Sequence, residues 1–167
     1  MRNSVILNSI DKLITEKIYR QARKQEEKLD PDNFVAHYSS GSIIYWLFCF
    51  LLFVLLTLFF SFFDTFLLHI AGVASIGCFL ITLYHISYRC FVDDVGITTI
   101  VFWLFKKQTF WKDVKNVDIQ EYESRNKPLE KNMILRNTQS KLLFSCSCEL
   151  VGFNLIVKKA KNHAKKN

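Results

Sequence analysis

Between Ile43 and Tyr88 the sequence has no lysine or arginine, and its one formal charge is Asp64. A single helix of that length would run roughly 70 Å at ~1.5 Å per residue, far beyond the ~30 Å hydrocarbon core of a bilayer. The run must therefore double back. Asp64-Thr65 is the expected turn, which leaves Ile43–Phe63 and Phe66–Tyr88 as two spans of adequate length. Backbone-permissive residues are scarce as well, with five glycines and two prolines in 167 residues. No Gly-rich phosphate loop, nucleophile elbow, His-Glu-x-x-His or paired Cys-x-x-Cys occurs, which removes the usual signatures of nucleotide, acyl-transfer and zinc chemistry. Among the carboxylates, Asp93 and Asp94 are adjacent, so a strand would send them to opposite faces. Glu121 and Glu123 share a face only as like charges on a solvated edge. The chain accordingly reads as non-enzymatic, with no catalytic residue, cofactor or metal site.

What charge there is divides unevenly. Residues 1–42 carry seven Lys/Arg against six Asp/Glu, whereas residues 89–167 carry fifteen against eight. Basic residues flank the apolar run at both ends and none lies in its turn, so the positive-inside rule places both termini in the cytoplasm of a multi-pass cell-membrane protein. The first apolar run is as long as a full span and lacks a small-residue cleavage pattern, so it reads as a signal anchor rather than a cleaved leader. Of the five cysteines, Cys49 and Cys78 fall inside the spans, and Cys90, Cys146 and Cys148 would face a reducing compartment as free thiols. Cys146-x-Cys148 lacks the further ligands that a closed zinc site needs.

Three segments follow: a juxtamembrane region (1–42), a two-span hairpin (43–88) and a soluble region (89–167). In the first, Ile6, Ile10, Leu13, Ile14 and Ile18 recur at helical spacing from Ser4 to about Lys28, and Gln21–Lys28 is polar all round. Such a helix packs on its own domain or a partner, or lies in the membrane interface. Phe34, Ala36 and Tyr38 alternate as a short strand does, and Ser39, Ser40 and Ser42 are placed to cap the first span. Tyr45 and Trp46 begin that span, and Tyr84 and Tyr88 end the second, so the aromatic anchors fall at one surface. Ala71, Ala74, Ser75, Cys78 and Thr82 make a small-residue face expected to pack on the first span or on another protomer, a route to a homo-oligomer. Asp64 sits at the turn, where it can cap the second helix, while His69 and His85 lie near span ends. No polar group reaches the midplane, which weighs against an ion path.

Beyond Tyr88 the sequence changes to short alternating runs. Strands are expected at Arg89–Val92, Ile97–Phe105, Gln108–Trp111, Asn116–Glu123, Met133–Arg136 and Leu142–Cys146. Asp93–Gly96, Lys106-Lys107, a charged loop with Pro128, and Asn137–Ser140 are the expected turns. Ser147 would cap a final helix starting near Cys148, with Leu150, Phe153, Val157 and Ala160 on its apolar face and lysines at its end.

The order of six strands and one helix, the run Phe91-Val92-Asp93-Asp94-Val95-Gly96-Ile97 and the step Trp111-Lys112-Asp113-Val114 together resemble the pleckstrin-homology-like domains of bacterial two-span membrane proteins, the YcxB-like type among them. The resemblance implies a small α+β domain: an antiparallel barrel or sheet of about six strands closed by the C-terminal helix, with Trp111 and Val114 in the core, Asp113 a cap and Gly96 in a structural turn. The stretch is short for this fold, and Phe34–Tyr38 is available as a further strand if the barrel is not simply incomplete.

The expected role is a membrane-held binding module for a protein partner or anionic lipid. The basic tail Lys158, Lys159, Lys161, Lys165 and Lys166 is the candidate lipid contact. It lacks the interleaved aromatics or recognition helix of a nucleic-acid binder. The resemblance also suggests an immunity or self-protection factor against a membrane-active peptide. A third reading is a transporter or channel subunit with His69, Ser75 and Thr82 lining a path.

Overall fold

The computed structural model describes the backbone of residues 2–62, 65–122 and 130–165, and the side chains within them except at 2–12, 122 and 130. Asp64, Glu123, Pro128 and Lys166 lie outside the described residues. The elements run α1 (Arg2–Glu26), β1 (Phe34–Tyr38), α2 (Ser40–Phe60), α3 (Thr65–Ser87), β2 (Arg89–Val92), β3 (Gly96–Val101), β4 (Phe105–Phe110), a 3₁₀ turn (Trp111–Asp113), β5 (Asn116–Tyr122), β6 (Glu130–Arg136), β7 (Leu142–Ser147), β8 (Leu150–Val151) and α4 (Phe153–Ala164).

Helices α2 and α3 are long and apolar enough to cross a membrane, and they begin and end within a few residues of the expected spans. Apart from where they pack on each other, much of their apolar surface is left open by the described residues: none of the most apolar stretch of α2, and 17 % of that of α3, is buried. The buried fraction is the small-residue face. Ala71, Cys78 and Thr82 are buried where α3 packs along α2, and Phe50 meets Phe79 with ring centroids 5.3 Å apart.

Ser39 caps α2, its hydroxyl accepting from the Ser42 backbone N–H at 3.3 Å. Strand β1 therefore runs into α2 through one residue, and α3 runs into β2 through Tyr88 alone. Because β1 and β2 are antiparallel neighbours (Phe34↔Val92, Ala36↔Cys90), the two helices grow out of two paired strands with no linker.

Among the described residues eight strands form two antiparallel sheets, ordered β4-β3-β2-β1-β8 and β5-β6-β7, against the six expected after Tyr88. Phe34–Tyr38 is the further strand the sequence offered and sits between β2 and β8; Leu150–Val151 is the one not expected. Leu150 thus belongs to a strand rather than to the last helix, which starts at Phe153 and not near Cys148. Its N-cap is Gly152 (φ 94°) instead of Ser147. A side chain at Gly152 would meet the Phe34 ring at 2.9 Å, and an L-residue there would be held left-handed. The cap that Gly152 cannot supply comes from α1, where the Glu26 carboxylate accepts the Leu155 N–H at 2.9 Å and the Asn154 side-chain amide at 3.0 Å.

The core lies between the sheets and under α4. It joins Phe34 and Ala36 of β1, Cys90, Val92 and Ile97 of β2–β3, and Met133, Leu135 and Phe144 of the second sheet to Phe153, Ile156 and Ala160 of α4. No closed barrel forms among the described residues. Strands β4 and β7 are edges of different sheets, bridged at one end by the Thr109 hydroxyl donating to the Leu143 carbonyl at 3.4 Å, and they diverge from there.

Candidate functional site: the cleft between β4 and β7

The divergence of β4 and β7 leaves a cavity of about 530 Å³, within the ~300–1,000 Å³ typical of small-ligand sites. Its origin lies in the β3–β4 register. Ile97 pairs with Thr109, Thr99 with Lys107 and Val101 with Phe105, so these three pairs share the inner face of the sheet. The first pair is buried. The other two continue the same face beyond the reach of the second sheet, and Lys107 and Phe105 are exposed.

Tyr38, Tyr84 and Tyr88 line the cavity at the root of the helices. Tyr38 packs on Tyr84 (5.8 Å), Tyr88 (5.3 Å) and His85 (4.0 Å), and burial pushes the Tyr38 and Tyr88 hydroxyls well above the ordinary phenol range. Opposite them, β7 contributes Leu142 to Ser147. Burial likewise raises the Cys146 thiol, and it carries Cys90 up to about 12, so both stay protonated at neutral pH. Among the described residues the lining combines apolar side chains, hydroxyls and the two lysines 106 and 107 and includes no Asp or Glu, although the charge of Glu149 acts on Tyr38. Such a surface suits an anionic head joined to an apolar body.

Lys106 and Lys107 were expected to close a turn. They lie instead in β4, and the turn is Phe102–Leu104, closed by Leu104 N–H donating to the Val101 carbonyl at 3.2 Å. Turn chemistry misled here, because Phe102 and Trp103 both take left-handed backbone (φ 51° and 57°), a conformation that usually signals itself by Asn or Gly. The turn rests on α3: Phe102 N–H donates to the Ser87 hydroxyl at 3.2 Å, and the Phe102 ring lies 6.2 Å from that of Tyr84.

The lysine-rich end of α4 lies elsewhere. Lys159 is largely buried, pairs with Asp94 at 3.0 Å and also donates to the Asp32 carbonyl, while His163 stacks on Trp111 at 5.2 Å. Asp94 and Trp111 flank the Gly96–Phe110 end of β3–β4, separated from the turn by the length of a six-residue strand, roughly 17–20 Å. Lys158, Lys161 and Lys165 are exposed.

Trp111 and Val114 are buried, and the Trp111 indole donates to the Asp93 carbonyl at 2.8 Å. The carboxylate that organises this corner is Asp93, accepting from Val95 N–H and Gly96 N–H at 2.8 Å each. Asp113 ends the 3₁₀ turn. Gly96 leaves no room for a side chain, since a Cβ would stand 2.2 Å from the Thr109 carbonyl oxygen.

Within the helices, Ser75 and Thr82 donate to the Gly72 and Cys78 carbonyls of their own helix, and the His69 and His85 rings lie against the Thr65 and Ile81 carbonyls. No group of three or more His, Cys, Asp or Glu side chains is placed to hold a metal among the described residues.

No protein-family model matches the chain, and no curated protein matches it in sequence.

Proposed function

We propose that this is a non-enzymatic two-span membrane protein whose β-domain faces the cytoplasm and binds an anionic lipid in the cleft between β4 and β7. The observation that carries the reading is the lining, which among the described residues has two lysines, three tyrosines and no Asp or Glu, at the end of the domain where the apolar helices enter. A membrane explains the uncovered surface of α2 and α3, because a helix apolar on all sides needs either a protein interior or lipid around it. The domain is an open relative of the pleckstrin-homology-like arrangement, two sheets with a C-terminal helix. With both helices rooted in β1–β2, the cleft is held beside the headgroups.

Each lysine near anionic lipid contributes about 1 kcal/mol, so the double variant Lys106→Gln/Lys107→Gln is expected to weaken retention by about 30-fold. Native mass spectrometry of the full chain, titrated with anionic and zwitterionic lipid, reads this out. Equal retention of both lipids by wild type and variant counts against the site.

One observation favours a protein partner as a second reading. Both strands bordering the cleft are sheet edges, and an extended segment could pair with them.

A further inference from the structure

We infer that the β3–β4 turn dips into the same bilayer face that the helices leave, so that Phe102 to Phe105 form a third membrane contact. The inference rests on reading α2 and α3 as spans. Three observations converge on it. Trp103, Leu104 and Phe105 are 69 %, 81 % and 69 % exposed, a run of large apolar side chains left uncovered by the described residues. Trp46 near the start of α2 meets His85 of α3 at 6.2 Å, His85 meets Tyr84 at 5.8 Å, and Tyr84 meets Phe102 at 6.2 Å. This chain of rings sets the turn level with the aromatic layer where both helices start and end, which is where Trp and Tyr concentrate at a membrane–water boundary. Third, Phe102 and Trp103 occupy left-handed backbone. Folding alone favours Asn or Gly there; Phe102 is accounted for by its packing on Tyr84, but the exposed indole of Trp103 points to a requirement outside the fold.

Lys106 and Lys107 follow directly, at the height where a cation meets lipid phosphates. The occupant is the bilayer itself rather than a second protein, because the aromatic-then-basic order matches the interface and the turn is tied to α3 through Ser87. Leu104 and Phe105 also line the cleft, so insertion would open its mouth into the headgroup layer and give a lipid a route in without crossing water.

The chain has three tryptophans, Trp46, Trp103 and Trp111. In nanodiscs of lipid brominated near the top of the acyl chains, the full chain is compared with Trp103→Phe, and the difference spectrum isolates Trp103. The expected result is a blue-shifted Trp103 emission that shallow bromines quench more than deep ones and that acrylamide in the water leaves largely intact. Emission insensitive to bromine overturns the proposal, whether acrylamide reaches the indole or a protein partner shields it. Residual quenching of Trp46 in the Trp103→Phe variant separates the two readings: if it is present while Trp103 is unquenched, the spans stand and the turn contact falls. If Trp46 is unquenched too, the spans fall with it. Near-UV circular dichroism of the variant confirms that the difference spectrum compares two folded proteins.

Discussion

The most informative single residues are those whose surroundings set their chemistry. Cys90 and Cys146 lie under the tyrosine cluster, where burial disfavours the thiolate. With Cys90 moved from 9.0 to about 12, its thiolate fraction near pH 8 falls roughly a thousandfold. Neither thiol is expected to react with iodoacetamide in the native protein at pH 8, and both should react once it is denatured; peptide mass spectrometry locates the label. Raised acid pKa values also set a direction for stability. The folded state holds these protons more tightly than the unfolded chain, so the contribution is complete below pH 9 and lost as pH rises toward about 12. A thermal midpoint that rises across that window would contradict the assignment.

Among the elements, α1 shows how a polar sequence can be structural. Its last turns, from Gln21 to Glu26, are mostly polar, yet they dock on the rest of the protein alongside Ile18. Ala22 is 2 % exposed, Gln25 donates to the Ser40 hydroxyl at 3.4 Å and Glu26 caps α4, while of the apolar stripe Ile18 is buried and Leu13 is 60 % exposed. Periodicity marks an apolar face and cannot mark a face that docks through hydrogen bonds. Removing the capping carboxylate with Glu26→Ala should cost about 1 kcal/mol, the usual worth of a helix N-cap. Chemical denaturation followed by a probe on α4 measures it. An unchanged midpoint would mean that Gly152 and solvent satisfy the helix start without α1. The β3–β4 turn illustrates the converse difficulty, because left-handed Phe and Trp give no compositional warning.

For the whole molecule, the decisive fact is that the β-domain is assembled from both sides of the helical hairpin. Strand β1 lies between β2 and β8, and it delivers Phe34 and Ala36 to the core. A fragment beginning at Arg89 therefore lacks a central strand, exposes two edges and loses a buried phenylalanine worth about 3–5 kcal/mol. Such a fragment is expected to be unfolded or aggregated. Joining residues 28–39 to residues 88–167 through a short Gly/Ser linker should restore a cooperative unfolding transition, since Tyr38 and Tyr88 are already in ring contact at 5.3 Å. Circular dichroism of the two fragments decides it; a well-folded Arg89–Asn167 would remove β1 from the list of essential strands.

The two long apolar helices were legible from the sequence because a helix of membrane-crossing length and hydropathy needs only length and the absence of charge, both local properties. The strand-rich region after Tyr88, the Asp93–Gly96 corner and the Asn137–Ser140 turn were legible for the same reason: alternation and turn chemistry act over a few residues. The pairing of strands was not. Phe34–Tyr38 was recognisable as a strand available to the sheet, but its place between β2 and β8, the inner face that Lys107 shares with Thr99, and the strand's length between the basic end of α4 and the turn all depend on register and on contacts between residues far apart in sequence. The cleft belongs to this second class. It exists because two edge strands, each locally ordinary, meet at Thr109 and Leu143 and then part. Only the packing of one sheet against the other sets that divergence.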